Sequence, residues 1–251
     1  SPTGSFRYYP QGAIFESASL CVYSDQSDDL RETLAFSNSC LAPKELAALS
    51  PTVNLLSGYY DMLVMPPLDG KSEGVVDTCE TCIELARSDW DAYETSWDFT
   101  TLPLLSPDHR AGTLEATYAR LRAHWQGMTD EMQRLEEENN RIFIDAYGLA
   151  DELIPEVPIE EITLTCNPAY RYGVKGTEGE RETRLRTETM AEFLSYAVGC
   201  MFGRYSLDAP GLILANQGET LADYLARVPE PSFLPDEDNV IPVLSEEFEN
   251  W

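Results

Sequence analysis

Asn167-Pro168-Ala169-Tyr170 is the stretch whose residue types carry the most chemistry. An asparagine amide and a following carbonyl can accept hydrogen bonds from an exocyclic amino group, and an aromatic ring three residues on can stack on a flipped base. Asn-Pro-Pro-Tyr does this in amino-methyl transfer. Here alanine replaces the second proline, and no Gly-rich loop follows an upstream strand to hold S-adenosylmethionine. The stretch therefore reads as a turn at the end of a strand, with catalysis the competing reading.

The other reactive groupings are weaker. Cys79 and Cys82 form a CxxC, but a closed zinc site takes four ligands and no second pair exists. Cys79 also falls on an apolar helical stripe, which favours a core cysteine over zinc or redox chemistry. Glu136-Glu137-Glu138 lies on one helix, so it reads as a solvated face; metal-binding carboxylates must converge from separate elements. Residues 171–186 are the locally basic stretch, with Arg171, Lys175, Arg181, Arg184 and Arg186 against Glu178, Glu180 and Glu182. Gly173, Gly176 and Gly179 make it read as a mobile loop. Guanidinium groups pair well with phosphate oxygens, so these five residues are the candidate DNA contacts. The competing reading is a surface loop whose arginines pair with nearby glutamates.

Charge narrows the partners. The 251 residues carry 44 acids against 17 bases, a net charge of -27. Three readings stand: a solubilised surface, the acidic side of an enzyme whose basic groove lies elsewhere, or a mimic of DNA. The balance argues against non-specific DNA binding by this chain. It carries no signal-peptide pattern and no apolar run long enough to span a bilayer. Its six scattered cysteines read as reduced thiols of a cytoplasmic protein. The start at Ser1 without Met reads as a piece of a longer protein.

These groups need elements to hold them. Residues 28–36 and 42–49 read as short helices, and Met62-Leu63-Val64-Met65 as a short strand ended by Pro66-Pro67. Residues 7–15 read as extended. Val76, Cys79, Ile83, Ala86, Trp90, Tyr93 and Trp97 repeat at steps of three and four, which predicts a helix over 73–97. Leu114, Tyr118, Leu121, Trp125, Met128, Met132, Leu135, Asn139 and Ile142 predict a longer one over 113–147. Joined through Pro103 and Pro107, the two should form an antiparallel hairpin, with Asn139 either fixing its register or marking its exposed end. Residues 161–166 read as a strand. Residues 187–202 read as a helix capped by Thr187 or Thr189 and closed by Gly203, and 218–228 as a shorter helix. The Pro-rich acidic tail from 229 reads as loop. The fold class expected is α+β and predominantly helical: a long antiparallel helical hairpin with small mixed α/β parts on either side.

Several segments carry a resemblance in order along the chain. The most specific is Leu194-Ser195-Tyr196-Ala197-Val198-Gly199-Cys200-Met201-Phe202 with its Gly203-Arg204-Tyr205-Ser206 exit, running on to Ile213. Others are residues 8–15, 51–54, 96–104, 140–149, 151–153, 155–158 and 233–242. Together they resemble the BREX phage-defence adenine-specific DNA methyltransferases, the PglX family. Leu34-Ala35-Phe36-Ser37-Asn38-Ser39, followed by 51–68, also looks like the end of a target recognition domain, with Cys40 where a basic residue is frequent.

The resemblance implies a division into 1–70, the end of a recognition-like domain; 71–150, a helical hairpin acting as spacer; and 151–251, a mixed segment with an acidic tail. It implies that the family's cofactor loop and its true Asn-Pro-Pro-Tyr lie upstream of the matched region, so no cofactor and no catalytic residue belong to this segment. The parent enzyme is then expected to use S-adenosylmethionine to methylate adenine N6 in double-stranded DNA. Other BREX proteins are its expected partners in excluding phage DNA, with no role for a membrane. The alternative is a protein-interaction module that docks other BREX components without touching DNA. A third reading is a self-contained methyltransferase using Asn167 to Tyr170.

Overall fold

Several helices in this chain start where a side chain closes a backbone end, at Thr113, Asn167 and Thr177. The computed structural model describes residues 6–9, 12, 14, 21–49, 57–236 and 240. Among them the α-helices are α1 (Ser27–Ser37), α2 (Ala42–Leu49), α3 (Ser57–Tyr60), α4 (Ser72–Asp91), α5 (Leu114–Tyr147), α6 (Pro168–Tyr172), α7 (Glu178–Met201) and α8 (Leu221–Arg227). Two 3-10 turns, Pro103–Leu105 and Ile159–Glu161, complete the regular structure. The chain divides into two compact units, Ser1–Arg87 with Gln126–Tyr170, and Ser88–Trp125 with Arg171–Trp251.

The predominantly helical part of the expectation holds, and the mixed α/β part is wrong: among the described residues there is no strand. At 161–166 the alternation is real. Ile162, Leu164 and Cys166 are buried and Thr163 is exposed. The backbone there closes on itself instead of on a neighbour. Leu164 N donates to Ile162 O at 2.9 Å and Asn167 N to Leu164 O at 3.1 Å. Alternating burial thus arises from successive turns over a core, which periodicity alone does not separate from a strand. Met62-Leu63-Val64-Met65 is likewise not a strand: Met62, Val64 and Met65 are exposed, and the Tyr147 hydroxyl takes the Val64 carbonyl. The readings at 51–54 and most of 10–20 lie outside the described residues, as does the tail beyond Asp236 except Val240.

In the first unit, α4 and α5 run antiparallel. Lys71 meets Asp145 at 3.8 Å beside the start of α4, and further along α4 Cys82 lies by Glu131, Arg134 and Glu136. Val75, Cys79 and Ile83 of α4 and Phe143 of α5 join Ala35, Phe36, Leu41, Ala42 and Leu68 in one core. Phe36 and Phe143 pack with ring centroids 5.4 Å apart. Arg31 of α1 pairs with Glu80 of α4.

Asn139 is neither a register device facing α4 nor an exposed end. Its Nδ2 donates to the Ala35 carbonyl at 2.8 Å in a buried setting. Its neighbour Asn140 bridges two loops, accepting from Cys40 N at 2.8 Å and donating to Pro155 O at 3.0 Å. One turn and two turns earlier, Glu137 accepts from Val157 N at 3.2 Å and Gln133 donates to Val157 O at 2.7 Å. Positions 133, 137 and 140 share a helix face. They satisfy the backbone of a Pro-Glu-Val-Pro segment that cannot form a ladder of its own.

In the second unit the predicted helix over 73–97 stops short. The Ser96 hydroxyl meets the Asp91 carboxylate at 2.5 Å and accepts from Asp98 N at 3.1 Å, short-range bonds that compete with helix. The apolar stripe breaks at this end: Trp90 on the last turn of α4 and Trp97 beyond it are exposed, while Asp89 is buried. Phe99 instead meets Tyr196 and Tyr205 edge-on, and Tyr196 and Tyr205 stack with centroids 4.8 Å apart. Helix α7 ends as the sequence suggests. Gly203 adopts φ +74, its N–H bonds to Cys200 O at 3.1 Å, and Arg204 N bonds to Gly199 O at 2.8 Å. This paired closure at a left-handed glycine is the Schellman motif.

The glutamate run on α5 is not a uniform solvated face. Glu138 pairs with Arg141 at 2.5 Å and Glu137 holds Val157, but Glu136 is partly buried. Burial raises its pKa to about 7, with Glu161 adding to the rise and Arg7 opposing it. Because the folded value exceeds the ordinary 4.5, the stability that a protonated Glu136 contributes is present at low pH and lost as pH rises through about 7. Glu136→Gln is expected to be more stable than the native protein at pH 8 by about 1–2 kcal/mol, discounted for partial solvent access, with the gap closing near pH 5. Urea unfolding at the two pH values measures this, and an equal difference at both would contradict it.

Candidate functional site

The basic stretch is not a loop. Thr177 accepts from Glu180 N at 3.3 Å and Glu180 returns the bond to Thr177 N at 2.7 Å, a capping box that starts α7 at Glu178. Thr187 and Thr189, the caps expected from sequence, are interior. Their hydroxyls donate back to Thr183 O and Leu185 O at 2.8 Å. Arg181, Arg184 and Arg186 therefore stand on the first turns of a helix, and only Lys175 lies in the turn between α6 and α7, flanked by Gly173 and Gly176 at positive φ.

Two of the five candidates converge. Arg171, at the end of α6, reaches Glu188 at 3.0 Å and Glu192 at 3.4 Å, both on α7. Its guanidinium lies over the Tyr93 ring at 5.4 Å and the Tyr172 ring at 5.6 Å. Arg184 covers the Tyr172 ring at 4.4 Å and bonds Glu188 at 2.8 Å. The Tyr172 hydroxyl donates to Glu188 at 2.7 Å. Burial opposes ionisation of Glu188, but the bonds from Tyr172 and Arg184 and the charge of Arg171 hold it below its ordinary value. Burial dominates at Glu192 and raises it. Burial also opposes the charge on Arg171, and the surrounding phenols and carboxylates more than offset that.

The other three stand apart from this cluster. Arg181 donates to Gly176 O at 3.1 Å, which braces the turn. Lys175 and Arg186 are exposed and form no ion pair among the described residues. Of the three glutamates in the stretch, Glu180 closes the cap and Glu182 takes Arg122 of α5 in a two-pronged contact at 2.8 and 2.6 Å. Sequence reasoning missed Tyr93, Tyr172, Glu188 and Glu192 as members of the cluster. The Thr177-x-x-Glu180 signature carried the signal: with the helix started there, Arg184, Glu188 and Glu192 fall on one face at steps of four.

Asn167-Pro168-Ala169-Tyr170 belongs to the first unit up to Tyr170. Asn167 is buried, and its amide is already engaged. Nδ2 donates to Ile159 O at 2.7 Å and Ile162 O at 2.9 Å, and Oδ1 accepts from Ala169 N at 3.0 Å to cap α6. These residues do not fit a methyl-transfer site. The amide that would bind a target amine has both of its ends in local backbone bonds, and among the described residues no strand leads into a loop that could cradle a nucleotide. Cys79 and Cys82 are pushed by burial to about 11 and about 12. No cluster of three or more metal-ligating side chains exists among the described residues. No helix there is long and apolar enough to cross a membrane.

No protein-family model matches the chain. The adenine-specific methyltransferase PglX of Lacticaseibacillus casei (strain Zhang) is 33% identical over 247 residues, covering 97% of this chain and 18% of its own length. The adenine-specific methyltransferase BrxX of Escherichia coli O9:H4 (strain HS) is 31% identical over 252 residues, covering 99% and 20%. The chain is similar to one segment of the PglX and BrxX methyltransferases. It spans about a fifth of the length of these relatives. The similarity runs through both compact units, so the α6–α7 cluster and the Asn167 cap both lie within the matched region.

Proposed function

We propose that this chain is a non-catalytic part of a BREX-type methyltransferase that modifies adenine N6 in double-stranded DNA. In this reading it helps to place the duplex, with α4 and α5 as a spacer in the region 71–150. The observation that carries the reading is the match over nearly the whole chain to adenine-specific methyltransferases several times its length. S-adenosylmethionine would supply the methyl group and would be held elsewhere in the parent protein, since the Asn167 amide is engaged in local bonds. Calorimetry of this chain with S-adenosylmethionine is expected to give no binding heat.

Duplex contact is assigned to the basic residues at the start of α7 and the turn before it. Lys175 and Arg186 have side chains uncommitted to carboxylates, and Arg181 lies between them. Arg171 and Arg184 belong to the same surface but share their charge with Glu188 and Glu192. A gel-shift salt series should show that Lys175→Glu with Arg186→Glu weakens binding and flattens the log-log salt slope by roughly 0.9 per lost phosphate contact. Unchanged affinity and slope would remove this surface from DNA binding.

The net charge of -27 favours a second reading, docking of other defence proteins without DNA contact. The two separate at low salt, where a chain that places DNA binds it and a docking module does not. Cytoplasmic location follows from either reading.

A further inference from the structure

Helix α7 changes character half-way along one face. Thr183, Arg184, Thr187 and Glu188 line its N-terminal half. Continuing along the same face at steps of three and four come Ala191, Leu194, Ser195, Val198, Met201 and Phe202. Leu194 is 64% exposed, Val198 44% and Phe202 36%. At 1.5 Å per residue, Leu194 to Phe202 makes a ridge of about 12 Å without a charged residue, with Glu192 at the edge of its start and Asp236 N bonded to the Met201 carbonyl at its end. Leu207 and Leu212 are also exposed, on the segment tied to the helix end by Arg204 N to Gly199 O and Leu214 N to Gly203 O.

Single exposed apolar side chains need no explanation, but a periodic ridge on a helix does. The opposite face is already used: Tyr196 and Cys200 are buried with Phe99, Leu102 and Tyr205. The outward ridge is thus a second apolar face on a helix whose first is satisfied, in a chain of which every sixth residue or so is acidic.

We propose that the Leu194–Val198–Phe202 ridge is the seat of another part of the same parent protein, which lays an apolar helical ridge along it. This rests on the reading of the chain as one segment of a longer methyltransferase. Two observations choose this occupant. About four-fifths of each relative lies outside the matched region, so a covalently tethered partner is at hand. A second copy is disfavoured, because pairing two chains of charge -27 sets like charge against like charge.

The test is accessibility at one position. Val198→Cys is made in this chain alone and in the whole native protein, and maleimide labelling of the peptide containing position 198 is followed by mass spectrometry. Labelling in the whole protein is expected to be at least about tenfold slower than in the chain, as for a site reached only by local opening. Equal rates in the two overturn the proposal. So does slowing in the chain alone that grows with its concentration and accompanies a doubled mass by light scattering. Leu194→Asp with Val198→Asp is expected to leave the chain's own unfolding midpoint unchanged and to lower the first unfolding transition of the whole protein; no change in the latter also overturns it. The segment reading fails separately: a native product no longer than this chain contradicts that reading, whereas a larger product with freely labelled position 198 contradicts only the docking.

Discussion

Gly199→Ala is expected to destabilise the protein by about 3 kcal/mol, whereas Gly127→Ala, the same change in another helix, is expected to stabilise it by roughly 0.5–1 kcal/mol. Both glycines are helical with ordinary backbone angles. The difference lies in what a methyl group would meet. At Gly199 a Cβ would stand 2.6 Å from Cδ2 and 3.0 Å from Cε2 of Tyr205. That ring is 2% exposed, stacks on Tyr196 and meets Phe99 edge-on, so it has nowhere to go. At Gly127 nothing lies within 4 Å, and alanine only removes backbone freedom from the unfolded chain. Urea unfolding of both variants measures the pair, with the signal taken separately for each transition if the two units melt apart. A neutral Gly199→Ala would mean that the aromatic stack is looser than its geometry indicates.

Asn140→Ala should cost about 2–4 kcal/mol. The side chain satisfies the Cys40 N–H and the Pro155 carbonyl together, and truncation leaves both without that partner in a part-buried setting. Asn140→Asp separates the two halves of the role. It keeps an acceptor for Cys40 N–H but loses the donor to Pro155 and introduces a charge into a 5% exposed position, so it should be no milder than alanine above the carboxylate pKa. If Asn140→Ala unfolds within about 0.5 kcal/mol of the native protein, water replaces the amide and the bridge is not a constraint.

The long helices were readable because their apolar residues recur at steps of three and four over many turns. That signal marks a helix well and marks the exposed side of its last turn poorly. Trp90 and Trp97 fit the spacing and point to solvent: Trp90 stands on the exposed side of the last turn of α4, and Trp97 lies beyond the end that Ser96 and Asp91 set. Residues 161–166 misled for a different reason. Alternating burial reports which side chains reach a core, and the turns that Asn167 holds together produce that alternation without a second strand. The basic stretch looked mobile on its glycine count, yet the Thr177–Glu180 box, four residues long, outweighs the glycine placed inside it. The Gly203 closure was readable because only a left-handed position explains a glycine there. The Glu188 and Glu192 partners of Arg171 were not, since an ion pair 17 or 21 positions apart has no sequence period.

The family resemblance was carried by strings that turn out to do varied physical jobs. Asn140 and Phe143 in one such string are a loop bridge and a core ring; Pro155 and Val157 in another are the backbone gripped by α5. A string shared because it packs says little about what the surface touches. Duplex contact by the basic residues at the start of α7 is therefore decided by the salt series.

The environment of the cysteines has a practical reach. Cys79 and Cys82 lose a proton only far above neutrality, Cys166 and Cys200 are buried, and burial raises the half-buried Cys40, which leaves Cys21 as the one fully exposed cysteine of the six. Thiolate-seeking reagents and mild oxidants act on the ionised form. A fluorophore or spin label introduced at a chosen surface position would therefore compete mainly with Cys21, and replacing Cys21 would leave a quieter background for distance measurements within this chain.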